Sequence, residues 1–300
     1  MRISVLSLFM WLSFQGWSQV ILFDKGIPDE HPSYFNPEFI RNNTIKAVLG
    51  EISIKREMQP ITSKGVVVQY QFDRSGKLVE KLNTFKLPNG AIDTSAEAYA
   101  YNSIDEMIKK SNFERSGFSS VRYLYDSNKR VVGEEYFRGS NTTAFRYKIE
   151  KGPSTKVKTE KFEYVVMNDS SIRKIYLNTQ GVPYKETSTT RNNFGSLSFE
   201  ETLYLSISRG SKTRFKYDFE GRLIEINRNE NLFKNREIKY VYEYDEMGNV
   251  LREKKTVNGK LVRSREFIYE VDSLLLKAEL SKDEELNVIT ITRFRYEYHQ

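Results

Sequence analysis

Aromatic and aliphatic residues in this chain alternate with polar ones over short stretches, and Asp, Asn and Gly break the alternation at intervals. Tyr240, Tyr242 and Tyr244 stand at every second position, as do Phe215 and Tyr217, and Phe294, Tyr296 and Tyr298. That period puts the rings on one face of a strand and the intervening Lys, Arg and Glu on the other. The first two of these runs end in one phrase. It is clearest at Phe215-Lys216-Tyr217-Asp218-Phe219-Glu220-Gly221-Arg222-Leu223 and at Tyr242-Glu243-Tyr244-Asp245-Glu246-Met247-Gly248-Asn249-Val250. An earlier copy runs from Tyr70 through Phe72, Asp73 and Gly76 to Leu78.

The phrase is a hairpin written in residue types. An Asp side chain accepts backbone N–H groups two or three residues on and opens a type I turn. The Gly three residues later takes the left-handed conformation that closes the turn as a bulged hairpin. Leu78, Leu223 and Val250 then begin the return strand. Asp73, Gly76, Asp218, Gly221, Asp245 and Gly248 are therefore assigned turn roles. Asp218, Asp245 and Asp272 are evenly spaced, and midway between them come Asn231 and Asn258-Gly259, with Glu285 after the third. Asn258-Gly259 is the strongest two-residue hairpin signal in the chain. Asp73, Asp126 and Asn178 follow at about twice that interval, which implies units between them whose turn signals are lost.

The predicted fold is mainly β: a single elongated up-and-down antiparallel meander of repeated hairpins over 19–300, best defined over 212–300. One short helical insertion is predicted near 94–112. There Thr94-Ser95-Ala96-Glu97 reads as a capping box, and Ala98, Tyr101, Ile104 and Ile108 form a stripe at helical spacing. A shorter helical turn is predicted at Asn36-Pro37-Glu38, before a strand from Ile45 to Ile54. The pattern does not fix whether the sheet closes. If it stays open, the strand near Ile45 and the one ending at Tyr298 are its exposed edges and its expected contact surfaces.

Residues 1–18 read as an export signal: Arg2, an apolar run from Ile3 to Phe14, then Gly16 and Ser18 before Gln19. The run of about a dozen residues is too short to span a bilayer, and nothing later approaches a spanning helix. There are no cysteines, which excludes disulfides, thiolate catalysis and Cys-ligated metals. The net charge of +7 is dispersed among acidic neighbours and not pooled into a nucleic-acid face. His31 and His299 are the only histidines, too few and too far apart for an imidazole-based centre. Glu134-Glu135 and Glu200-Glu201 are sequence neighbours that strands would point to opposite faces. No cofactor, metal or catalytic residues are assigned.

The Tyr-Asp phrase resembles the YD repeats of the bacterial Rhs family, on Tyr217 to Leu223, Tyr244 to Val250 and, with Phe for Tyr, Phe72 to Leu78. That resemblance implies repeated β-hairpins on a secreted or surface-associated protein and carries over no catalytic residues. The functional expectation is a secreted or periplasmic, non-enzymatic scaffold or binding protein of the cell envelope. Its expected partners are envelope polysaccharide or another envelope protein, with Tyr217, Tyr242, Tyr244 and Tyr269 as ligand-stacking candidates. The alternatives are an accessory or immunity-like partner of a secreted toxin system, and an envelope glycoside hydrolase or lyase.

Overall fold

The computed structural model describes residues 19–22, 35–145, 148–232 and 236–300. The export signal proposed for 1–18 and His31 lie outside the described residues. One short helix, α1 (Pro37–Asn42), precedes eighteen strands. The first six are β1 (Ile45–Arg56), β2 (Thr62–Phe72), β3 (Leu78–Lys86), β4 (Ile92–Tyr101), β5 (Met107–Glu114) and β6 (Gly117–Tyr125). Then come β7 (Val131–Phe145), β8 (Lys148–Asn168), β9 (Ser171–Leu177), β10 (Pro183–Arg191), β11 (Leu197–Tyr204) and β12 (Arg209–Tyr217). The last six are β13 (Leu223–Asn231), β14 (Arg236–Tyr244), β15 (Val250–Val257), β16 (Lys260–Tyr269), β17 (Leu276–Asp283) and β18 (Val288–Tyr298).

Every strand pairs antiparallel with its sequence neighbours, and β1 pairs with β18 as well as with β2. The sheet is therefore a closed, eighteen-stranded up-and-down barrel and not an open meander. The two strands expected to be free edges seal it: Ile45 stands opposite Tyr298 and Gly50 opposite Phe294. Gly50 has no room for a side chain, because a Cβ there would come within 2.8 Å of Thr292 and Val68. Closure removes the edges that an open meander would have to protect.

The strands tilt, as closure requires. Ala47, near the start of β1, pairs with Gln71, and the ladder continues through Glu80, Ala98, Ser111, Ser120 and Phe137 to Lys156. Pairing between β8 and β9 begins only at Lys161 opposite Leu177, so Lys156 already lies past the end of β9. Eight strands of sideways travel thus consume a full strand of height.

The predicted helix at 94–112 is instead the hairpin β4–β5, turned at Asn102. Helical spacing and capping are local signals. Here β3 and β5 satisfy the β4 backbone from both sides, and that tertiary pairing outweighs a weak local propensity. The turn predicted at Asn36-Pro37-Glu38 is α1: the Asn36 side chain accepts the Glu38 N–H at 3.0 Å, with Pro37 in the first turn.

The Asp phrase closes the hairpins as its chemistry dictates. In turns starting at Asp73, Asn102, Asp126, Asn178, Asn192, Asp218 and Asp245, the first residue's N–H donates to the fifth carbonyl, and the fourth N–H donates back to the first carbonyl. The side-chain oxygen of the first residue also accepts the fifth N–H. The fourth residue is left-handed in all of them, as Gly76 (φ +84°), Gly221 (φ +80°) and Gly248 (φ +87°) illustrate, although Asp105 and Lys129 also hold that position. Strand alternation gathers these turns, Asn178 excepted, at one end of the barrel, the Asx rim. Asn102 fills one of the gaps inferred from the spacing, whereas the long β7–β8 hairpin occupies the other. The third C-terminal turn starts at Glu270 and not at Asp272. Asn258-Gly259 makes its predicted two-residue hairpin with both residues at positive φ.

One half of the barrel interior is a dry core. Ile226, Ile238, Tyr240, Tyr242, Val250, Phe267 and Leu276 from β13–β17 meet Val48, Val68 and Tyr70 from β1 and β2. The N-terminal segment plugs this half at the Asx rim. Val20, Ile21 and Ile40 are fully buried, and the Phe35 ring stands edge-on to Tyr70, Phe72 and Phe294 at 5.2, 5.9 and 6.1 Å. Within that core Glu253 is fully buried and ion-paired to Arg263 and Arg265, and Arg265 also reaches Glu279.

Candidate functional site

Three of the four tyrosines proposed to stack on a ligand tie neighbouring hairpins together at the rim. The hydroxyl of Tyr217 donates to the Leu197 carbonyl, Tyr244 to Leu223, and Tyr269 to Val250, at 2.6–2.8 Å. Tyr101 to Leu78, Tyr125 to Met107, Tyr164 to Val131 and Tyr296 to Leu276 repeat the same bond. In each case the acceptor is the first strand residue after the preceding turn, so every tyrosine clasps one hairpin to the one before it. Tyr242 lies wholly in the core at 3 % exposure. Tyr217, Tyr244 and Tyr269 are half-buried against that core. The Tyr of the repeated phrase is thus as structural as its Asp and Gly.

The outer wall is an ionic lattice. Lys216 and Lys239 flank Glu225, Lys254 and Arg252 flank Glu243, Arg252 reaches Glu266, and Lys212 meets Glu201. A lipid-facing barrel wall needs an apolar band, and each Lys or Arg at mid-bilayer costs about 2–4 kcal/mol. This wall of β11–β16 is built to face water. Among the described residues no helix is long and apolar enough to cross a membrane, which says nothing about strands.

The inner wall of β8–β12 differs from both. Residues directly opposite across antiparallel strands share a face. Phe215 is a core residue, so Thr213, Ser211 and Arg209 on the same strand point inward too. From Arg209 the inward row runs through Tyr204, Lys185 and Tyr176 to Phe162. A second inward row runs from Ser211 through Thr202, Thr187 and Lys174 to Tyr164. Phe162 is buried at 4 %, but Tyr176, Lys174, Lys185 and Tyr204 are only half-buried, and none belongs to the dry core.

Cations lie over the rings along these rows. The Lys174 ammonium is 3.6 Å from the Phe162 centroid and 4.7 Å from that of Tyr176. Lys185 is 3.6 Å from Tyr176 and 5.9 Å from Tyr204, and Arg209 is 5.4 Å from Tyr204. Among the described residues neither lysine has a carboxylate within 4.0 Å. Burial pushes both ammonium groups below the ordinary lysine range, partly offset by the fields of Glu160 and Glu134.

Glu160 anchors the near end of the wall. Its carboxylate accepts Tyr184 at 3.0 Å and Tyr136 at 3.4 Å, and it is ion-paired to Lys158. Burial alone would raise this carboxyl, but the bonds from Lys158 and Tyr184 outweigh it and hold the group below the usual carboxylate range. Glu134 stands directly opposite Glu160 and also takes the Tyr136 hydroxyl. Sequence neighbours did point apart as expected: Glu135 faces out to Arg122 and Lys156, and Glu201 faces out to Lys212. The pair that converges comes from different strands, which only the register reveals.

Beside Glu160 the β9–β10 hairpin ends and leaves β8 uncovered. A cleft of about 410 Å³ opens there, lined by Lys156, Lys158, Lys161 and the turn from Asn178 to Gly181. Among the described residues no His, Asp and Glu side chains cluster as metal ligands.

No family model matches this chain, and no curated protein matches it. Among solved structures it is similar to a porin-like protein from Bacteroides uniformis, at 10 % identity and a TM-score of 0.39, over 85 % of this chain and 97 % of that one. It is similar also to a LolA superfamily protein from Nitrosomonas europaea, at 7 % identity and a TM-score of 0.18, over 86 % and 87 % of the two chains. Likenesses this low carry no argument about activity, so the reading of this barrel rests on its own inner wall.

Proposed function

We propose that this protein is an exported, non-enzymatic binding protein of the cell envelope, and that the inner wall of β8–β12 is its ligand face. The observation that carries the proposal is the row from Phe162 to Arg209. Its rings and cations face inward yet stay out of the dry core. A barrel that needed this half only for stability would pack it into the core, as it packs the other half. Export is supported by Arg2 and the apolar run after it, and a life in water by the charged outer wall. Binding is favoured over turnover because Glu160, the most buried acid on the wall, is saturated by Lys158, Tyr184 and Tyr136.

The test is retention of an envelope component by the exported protein, compared with a Tyr176→Ala/Tyr204→Ala variant of matched urea midpoint. Loss of a defined, competable ligand in the variant is expected. Equal retention by both proteins would place the binding surface elsewhere. A second reading, an envelope glycosidase, draws on Glu134 opposite Glu160, since two facing carboxylates are what glycoside hydrolysis uses. Hydrolysis of an envelope glycan that Glu160→Gln abolishes would replace the binding proposal with that one.

A further inference from the structure

The inner wall holds two cations that lie against ring faces and that, among the described residues, have no carboxylate within 4.0 Å. Lys174 and Lys185 are diagonal neighbours on β9 and β10, with backbones about 7–8 Å apart, and their ammonium groups both lie against one ring, that of Tyr176. A half-buried ammonium normally takes a carboxylate partner, and Lys81 and Lys110 in the same barrel share Glu97. At Lys174 and Lys185 the nearest acids, Glu160 and Glu134, act only through their field. Glu160 is already held by Lys158.

Resting on the reading of this wall as the ligand face, we propose that Lys174 and Lys185 together hold one anionic group of a saccharide chain whose sugar rings stack along Tyr176 and Tyr204. An anion between the two ammonium groups supplies the charge partner that the protein itself does not. The stacking surface continues to the half-buried Tyr204, while Phe162 is buried. A saccharide fits better than a lipid chain because Thr187 and Thr202, whose hydroxyls are 3.0 Å apart, stand beside the rings. Sugar hydroxyls can exchange bonds with such groups. An acyl chain would offer nothing to those hydroxyls or to the ammonium groups of Lys174 and Lys185.

The experiment uses the exported protein, a Lys174→Gln/Lys185→Gln variant, and a Lys216→Gln variant from the outer wall. Each is titrated with oligogalacturonate, with its neutral methyl ester, with a phosphorylated oligomannoside, and with phosphatidylglycerol vesicles. The expected result is that at least one charged saccharide binds about 10- to 100-fold more tightly than the neutral ester. The double variant should lose that difference and Lys216→Gln should keep it. Binding of the charged saccharide should also weaken as alkaline pH neutralises the two lysines, whose protons are held less tightly than in free lysine. If charged and neutral saccharides bind equally and only Tyr176→Ala/Tyr204→Ala removes binding, the ligand face stands and the anion site falls. Binding of vesicles alone would overturn the saccharide in favour of a lipid. If no probe binds, or if binding survives every inner-wall substitution, both the site and the ligand face fall.

Discussion

Gly76 and Gly221 occupy the same position in the same kind of turn, with nearly the same backbone angle (φ +84° and +80°). They differ in what a methyl group would meet. A Cβ on Gly221 finds nothing within 4 Å, whereas one on Gly76 would stand 1.9 Å from the Pro37 carbonyl oxygen and 2.9 Å from the Arg41 nitrogen. Both obstacles are backbone atoms of α1, which cannot swing aside like a side-chain tip. Gly221→Ala should therefore cost only the left-handed penalty, about 1–2 kcal/mol. Gly76→Ala adds an overpacking cost of about 1–3 kcal/mol, unless α1 lifts away and gives up the burial of Phe39 and Ile40. Either route makes Gly76→Ala the more damaging, at a total of about 2–5 kcal/mol against about 1–2 kcal/mol for Gly221→Ala.

Urea unfolding measures both costs, and the slope tells the two routes apart. If α1 stays docked, the midpoint falls at unchanged slope; if it detaches, the native state exposes more surface and the slope falls as well. Amide exchange across Phe39–Asn43 should accelerate only in Gly76→Ala. Equal midpoint shifts for the two variants would refute the reasoning, because they would mean that the N-terminal plug does not press on the Asp73 turn.

Three further outcomes follow from the same geometry. Tyr244→Phe keeps the ring but strands the Leu223 carbonyl, and should cost about 1 kcal/mol in urea unfolding; a silent substitution would deny the clasp its role. Glu253→Ala leaves Arg265, only 8 % exposed, short of its main partner and should cost about 3–5 kcal/mol. Pairing it with Arg265→Leu should recover part of that loss. Stability should also collapse in alkali. Burial raises Tyr101 and Tyr164 to about 12 and raises Tyr99, Tyr136, Tyr269 and Tyr296 further. An unfolded tyrosine gives up its proton near pH 10 while these keep theirs, so the stabilisation is complete below that pH and is lost as pH rises through the folded values. The lowered lysines work in the opposite direction but are fewer. Tyrosinate absorbance should therefore rise together with unfolding; gradual ionisation of a still-folded protein would contradict this.

The hairpins were legible because each turn is a local event. Asp218 needs only its own next four residues to close, and a Gly at the fourth position announces the left-handed angle. Asn102 and Lys129 were harder to read, because residues other than Asp and Gly can fill those positions at some cost in strain. Closure was not legible at all. It depends on Ile45 meeting Tyr298 from the two ends of the barrel, a non-local pairing with no signal in either segment. The helix predicted at 94–112 failed for a related reason: its local spacing was real, but β3 and β5 decide the backbone there.

The stacking candidates were chosen by a similar local logic. Regular Tyr-Asp phrases drew attention to Tyr217, Tyr244 and Tyr269, yet their regularity is that of a joint repeated at each hairpin of the rim. A ligand face has no reason to repeat with the hairpin, because it must match one molecule and not each neighbouring strand. The inner wall fits that expectation. Phe162, Tyr176, Lys185, Tyr204 and Arg209 come from five strands, follow no common phrase, and line up only through register. Lys174 and Lys185 looked in sequence like two more solvated charges on alternating strands. What sets them apart is the absence of a carboxylate opposite, and the sequence holds no record of which residues stand opposite across the barrel. In this barrel the repeated positions build the wall, and the irregular ones are where recognition is to be sought.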